Sequence, residues 1–169
     1  MEWGNDIYKA IKEAGIGQVA YVPDAGHKIL INACIDDNDI EAVSLTTEEE
    51  GIALSAGAWL GGEKCVMLMQ SSGVGNCINM LSLIETCRFP FCAFVTMRGQ
   101  WHEFNPWQMP MGTTTKQALE TAGCLVDEVE NPSDVGAKAA ATIHKAFVGQ
   151  QSSVLLLSQR MVPIKTFGK

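Results

Sequence analysis

The chain has 169 residues, enough for one domain with a sizeable core and too few for two ordinary ones. With 47% hydrophobic and 18% charged residues, it carries less charge than a lone soluble domain usually does, which points to surface buried against another chain. A net charge of −7 and a pI of about 4.9, with no basic run, exclude a general nucleic-acid binder.

Residues 5–14 (NDIYKAIKEA) have helical periodicity, with Asn5 as the expected cap and Gly15 as the stop. VAYVP (19–23) reads as a strand, AGHKILINACI (25–35) as a helix and IEAVSL (40–45) as a second strand. TTEEEGIALSAGAWLG then opens a helix on three consecutive glutamates. KCVMLMQ (64–70) is a third strand, SSGVGN a Gly-rich turn and CINMLSLIE a helix. PFCAFVTM (90–97) is a fourth strand, and RGQWHEFNPWQMPMG (98–112) an irregular loop rich in aromatics and proline. TTTKQALETAG reads as a helix, CLVDEV as a strand, NPSDVGAKAAATIHKAFVG as a helix starting after Pro132, and SSVLLLS (152–158) as the last strand.

Six short, continuously apolar strands alternating with helices predict an α/β fold. It is a three-layer sandwich with a central, mostly parallel six-stranded sheet and helices on both faces. The whole chain, residues 1–169, reads as a single domain. Ligands of such sheets sit at the carboxyl ends of the strands. The loops there are PDAGH, TTEEE, SSGVGN and MRGQWHEFNPW. The six cysteines form no CxxC pair and lie mostly in apolar surroundings, as reduced core thiols of a cytoplasmic protein would. Residues 1–15 are polar and amphipathic, unlike a secretory leader, and no apolar stretch is long enough to cross a bilayer.

SSGVGN offers backbone N–H groups to a ligand, but it lacks the third glycine of a dinucleotide fingerprint and the Lys-Ser/Thr of a P-loop. A tight turn explains its glycines, and a nucleotide-binding reading is disfavoured. His144 falls in a helix, where a surface or packing role is expected. His27 and His102 fall in strand-end loops predicted to meet, which makes both site candidates. No spacing of His, Cys and Asp/Glu fits a metal site.

Glu48, Glu49 and Glu50 have a purely structural explanation: Thr46 with Glu49, or Thr47 with Glu50, makes a capping box, and carboxylates favour a first turn. Yet the rest of the helix is apolar on every face, which predicts burial all round. At least one of the carboxylates is then expected in a dry environment, where burial raises a carboxyl pKa toward the range useful for proton transfer. Periodicity does not say which one.

The segment TTEEEGIALSAGAWLGGEKCVMLMQSSGVGNCINMLSL resembles the pyrimidine-binding (PYR) domain of thiamine-diphosphate enzymes, sulfopyruvate and phosphonopyruvate decarboxylases above all. The supporting marks are VP at 22–23, Glu48 nine residues before Gly57, MQSSGVGNCIN at 69–79, SL at 82–83 and RG at 98–99. The resemblance implies that Glu48 is catalytic, trading a proton with N1′ of the cofactor's aminopyrimidine so that C2 of the thiazolium can be deprotonated. Glu49 and Glu50 are then left to cap the helix. It further implies that Pro23, Ser72, Gly73, Val74, Gly75 and Asn76 contact thiamine diphosphate. Asp24, His27, Lys28 and Arg98 are substrate candidates, and His27 and His102 acid-base candidates. The GDG motif of the diphosphate- and Mg2+-binding (PP) domain does not occur in this sequence. A beta subunit carrying it, in a hetero-oligomer with paired alpha subunits, is therefore expected to hold Mg2+. The implied reaction is decarboxylation of a small 2-oxo acid, most readily 3-sulfopyruvate. Alternatives are phosphonopyruvate, a related carboligation, or a scaffold of this fold that has lost catalysis.

Overall fold

The structure, a computed structural model, describes residues 2–164. Its strands are β1 (Gln18–Tyr21), β2 (Glu41–Ser44), β3 (Cys65–Gln70), β4 (Phe91–Thr96), β5 (Leu125–Val129) and β6 (Ser152–Leu157). They form one six-stranded sheet in the order β2-β1-β3-β4-β6-β5, and every pairing is parallel rather than only most of them. The helices are α1 (Trp3–Glu13), α2 (Lys28–Ile35), α3 (Glu48–Leu60), α4 (Ser71–Cys77), α5 (Leu81–Cys87), α6 (Met109–Thr121) and α7 (Val135–Phe147).

Strand order and handedness fix the layers. Crossovers between parallel strands are right-handed, so a connection running one way along the sheet lies on one face and a connection running back lies on the other. The steps β1→β2 and β5→β6 put α2 and α7 on one face, where α1 joins them. The steps β2→β3, β3→β4 and β4→β5 put α3, α4, α5 and α6 on the opposite face. The strands serve both cores. Val66 and Leu68 of β3 pack with Ile7, Leu30 and Ile143, while Met67 and Met69 pack with Ile52, Val74 and Leu119. Both parities of the strand are buried, so the strands read as unbroken apolar runs.

Four local expectations are corrected. SSGVGN is not a turn but the helix α4. α1 begins at Trp3, with Asn5 inside it, because Trp3 is buried beside Ile7 and Ile11 and that packing extends the first turn. α6 begins at Met109, since Pro110 sits in its first turn, where its missing N–H is no loss. α3 is not buried all round: Gly51, Ile52, Ser55 and Ala58 face the sheet, while Ala53, Gly57 and Leu60 are exposed. Gly15 does stop α1, at a φ of 64°.

Candidate active site

The loop after β1 turns toward the α2 face and the segment after β3 toward the α4 face. They part at the carboxyl edge of the sheet, and such a divergence makes a crevice. Glu48 opens α3 at this edge. Its two neighbours have separate work. Glu50 completes a capping box with Thr47, its carboxylate accepting from Thr46 N (2.8 Å) and Thr47 N (3.4 Å). The Thr47 hydroxyl donates to Glu49 and holds that carboxyl below its ordinary pKa. Glu48 alone is buried.

The Glu48 side chain lies on α4. Asn76 Nδ2 donates to Glu48 Oε2 at 2.8 Å. A Cβ on Gly73 would stand 2.3 Å from Glu48 Oε1 and 2.4 Å from its carboxyl carbon, so a side chain at position 73 would push the carboxylate out of this place. Val74 is fully buried in the core, and the Ser72 hydroxyl donates to Gln70 Oε1 at 2.9 Å. Gly75 faces Met111, and Pro23 is exposed. Of the six cofactor candidates, Gly73 and Asn76 therefore reach the Glu48 carboxylate itself, while Val74 fills the core.

Across the crevice, Asp24 is fixed by three donors. Gln70 Nε2 at the end of β3 donates to Oδ1 at 3.0 Å. Thr96 Oγ1 at the end of β4 donates to Oδ2 at 2.7 Å, and Gly26 N donates to the same oxygen at 3.1 Å. His27 departs from expectation. It is 1% exposed, and its Nε2 lies 3.3 Å from Met69 O and 3.1 Å from Phe94 O. Carbonyls only accept, so Nε2 carries the proton and Nδ1, which has no partner among the described residues, does not. Burial pushes its pKa down, keeping the ring neutral. His27 ties β3 to β4 within the sheet instead of facing the loops. Lys28 is exposed beside an open groove with Pro23, Asp24 and Asn32.

The loop after β4 is organised by a residue that sequence reading passed over. Glu103, whose side chain is 1% exposed, accepts from Arg98 Nε (2.7 Å), Arg98 Nη2 (2.6 Å), Gly99 N (3.2 Å), Asn105 N (3.0 Å) and Gln159 Nε2 (2.9 Å). These donors, Arg98 first, hold its carboxyl down at about 2. Gln159 Oε1 in turn accepts from Gln100 N and Trp101 N at 2.9 and 2.8 Å. The Arg98 fork, expected to await an anion, gives two of its five N–H groups to Glu103. A cavity of about 100 Å³ remains, lined among others by Asp24, Thr96, Arg98, Trp101, His102 and Gln159. His102 is exposed at its rim, edge-on to Trp101, with a backbone φ of 50°. His144 is exposed in the last turn of α7, as expected.

The structure brings Glu48, Gly73 and Asn76 together, and separately Asp24, Arg98 and His102. No protein-family model matches the chain. The fold resembles that of a 2-oxoglutarate:ferredoxin oxidoreductase from Magnetococcus marinus, with a TM-score of 0.79 at 15% identity over 95% of this chain and 29% of that one. Sequence relatives are far nearer. A sulfopyruvate decarboxylase subunit alpha from Methanococcus maripaludis is 44% identical over 68% of this chain and 70% of its own length. One from Methanocaldococcus jannaschii is 38% identical over 76% of both chains. A phosphonopyruvate decarboxylase from Streptomyces viridochromogenes is 31% identical over 94% of this chain but only 38% of that protein. With that identity running along most of both partners, and with Glu48, Gly73 and Asn76 meeting at the sheet edge, the chain belongs to the family of sulfopyruvate decarboxylase alpha subunits.

Proposed function

We propose that the chain is the pyrimidine-binding subunit of a thiamine-diphosphate-dependent decarboxylase that converts 3-sulfopyruvate to sulfoacetaldehyde and CO2. The observation that carries this reading is the Glu48 carboxylate, buried at the carboxyl edge of a parallel sheet, braced by Asn76 and seated on a glycine that leaves it room. A carboxyl group so placed suits the ring nitrogen of an aminopyrimidine, which needs a partner able both to give and to take a proton. When bound, thiamine diphosphate would supply the thiazolium that adds to the 2-oxo group and holds the electron pair as CO2 leaves. Glu48 moves the proton at N1′, and α4 keeps its carboxylate in one orientation. Asp24, Arg98 and His102 border the neighbouring cavity, where the substrate is placed in this reading.

The whole chain serves as one PYR-type domain. A separate beta subunit carries the PP domain and holds the diphosphate through Mg2+, in a hetero-oligomer with paired alpha subunits. No described helix is long and apolar enough to cross a membrane. The cysteines carry no disulfide, and burial raises the pKa of five of them, which suits the cytoplasm. Phosphonopyruvate is the second substrate reading, favoured by a relative of that name that aligns with 94% of this chain.

The test is Glu48→Gln in the enzyme reconstituted from both subunits, assayed with sulfonated and phosphonated 2-oxo acids. Gln keeps the shape but cannot trade the proton, so turnover falls by about 10²–10⁴ while assembly is kept. Glu49→Gln and Glu50→Gln lose only about 1 kcal/mol of stability each. An active Glu48→Gln beside an inactive Glu49→Gln would reassign the role.

A further inference from the structure

Asn76 is exposed on α4, yet its amide is aimed at a buried carboxylate. The Asn76 bond takes up Glu48 Oε2, and Gly73 abuts Oε1 and the carboxyl carbon without touching them through a side chain. One oxygen is therefore tethered by a hydrogen bond and the other packs against the side-chain-free face of Gly73. We infer that Asn76 is a positioning residue: by binding Oε2 it holds the Glu48 carboxylate in one orientation and makes Oε1 the oxygen that exchanges the proton with the cofactor's pyrimidine.

The neighbouring groups agree with this assignment. Asn76 is the donor the structure gives Glu48, and the Cys77 thiol beside the same carboxylate is raised to about 12, by burial first and then by the charges of Glu48 and Glu49. A thiol held neutral brings no competing negative charge. The groups facing Glu48 are thus Asn76 and Gly73 from α4, neutral Cys77, and Glu49 on its own helix, whose carboxylate is engaged by Thr47.

The inference rests on the proposed proton role of Glu48, and the test separates the two. In the full complex with the partner subunit, Mg2+ and saturating thiamine diphosphate, exchange of the cofactor's C2 proton for deuterium is followed by NMR after acid quench, without substrate, across the pH range of stability. Asn76→Ala is expected to slow exchange about tenfold to a hundredfold, the loss of one hydrogen bond to a charged group. Asn76→Asp sets a second carboxylate against Glu48, and two such charges cannot both persist at that distance, so the acid limb of the exchange profile moves to higher pH. Both variants stay folded, Asn76→Asp with the lower melting temperature because its carboxylate repels Glu48. If Glu48→Gln still exchanges at the normal rate, the role of Glu48 fails and this inference with it. If Glu48→Gln is dead while both Asn76 variants match the unaltered enzyme in rate and pH profile, Glu48 stands and the positioning role of Asn76 is overturned. A slower Asn76→Ala with no pH shift in Asn76→Asp overturns it equally, being the mark of packing alone.

Discussion

Glu48 and Glu103 are both buried carboxylates near the carboxyl edge of the sheet, and they are held in opposite ways. Glu103 accepts from five N–H groups, so its lone pairs are spent and it has no use for a proton. Glu48 accepts from the Asn76 amide and rests its other oxygen on bare glycine, which fits the proton-trading role proposed for it. Removing the charge at position 103 should therefore cost stability rather than chemistry. Glu103→Gln, which leaves Arg98 half-buried without its counter-charge, is expected to lower unfolding free energy by about 1.5–3 kcal/mol, measured by denaturant titration at neutral pH. The sign of its pH dependence follows from a folded pKa of about 2 against an ordinary 4.5. The stabilisation is complete above the ordinary value and fades as pH falls from 4.5 toward 2. The variant should lose that part of the acid dependence. Arg98→Lys keeps a charge but not the fork. With the Nε–Nη2 edge of the fork held by Glu103, turnover of sulfonated and unsubstituted 2-oxo acids is expected to fall by similar factors. A loss confined to the sulfonated substrate in steady-state kinetics would show that Arg98 also grips the acid group.

At the scale of elements, α3 presents a question that its own chain does not answer. Gly57 lies within the helix, and a Cβ there would meet no atom within 4 Å. Ala53 is exposed beside it, and Leu60 is 88% exposed. A glycine inside a helix costs about 0.5–1 kcal/mol relative to alanine, and nothing in the described residues requires one here. A close-packed partner would. Gly57→Ala is thus expected to stabilise the isolated chain by about 0.5–1 kcal/mol, and Gly57→Arg to abolish association with the beta subunit while the isolated chain stays folded. Calorimetric titration of partner into chain, beside thermal melting, reads both. The strands were legible in the sequence because both of their faces are buried, so Cys65–Gln70 and Phe91–Thr96 show as continuous apolar runs. α4 was not legible: two glycines in seven residues weigh against a helix, and Gly73 is there for the carboxylate of another helix. Which of the three glutamates is buried was not legible from periodicity; the offset from Gly57 singled out Glu48, and Glu48 is the buried one. Glu103 was invisible because its donors range from neighbours in the loop to Gln159, which only the fold brings near. The burial of His27 was missed for the converse reason: it follows β1 in a loop sequence, but the turn into α2 brings the ring against the carbonyls of β3 and β4.

Taken as a whole, the molecule would hold one end of a cofactor site in the proposed reading. Glu48, braced by Asn76 and packed on Gly73, would offer an aminopyrimidine a single hydrogen-bonding contact of modest strength. The diphosphate end of thiamine diphosphate carries most of the charge, and its capture needs a divalent cation with oxygen ligands. The motif that supplies those ligands in the resembling enzymes is absent from this sequence, and the chain's net charge of −7 opposes an unscreened diphosphate. Recognition of the cofactor should then be a property of the complex. The purified chain alone is expected to show no tight, Mg2+-dependent uptake of thiamine diphosphate in calorimetry and no decarboxylation. Adding the beta subunit should produce both together, with activity saturating as the chains combine. Glu48→Gln in that complex should leave cofactor uptake nearly intact, since the diphosphate anchors it, and remove turnover. Tight Mg2+-dependent binding by the chain alone would mean that it holds the diphosphate itself, and the division of the site between two subunits would have to be abandoned.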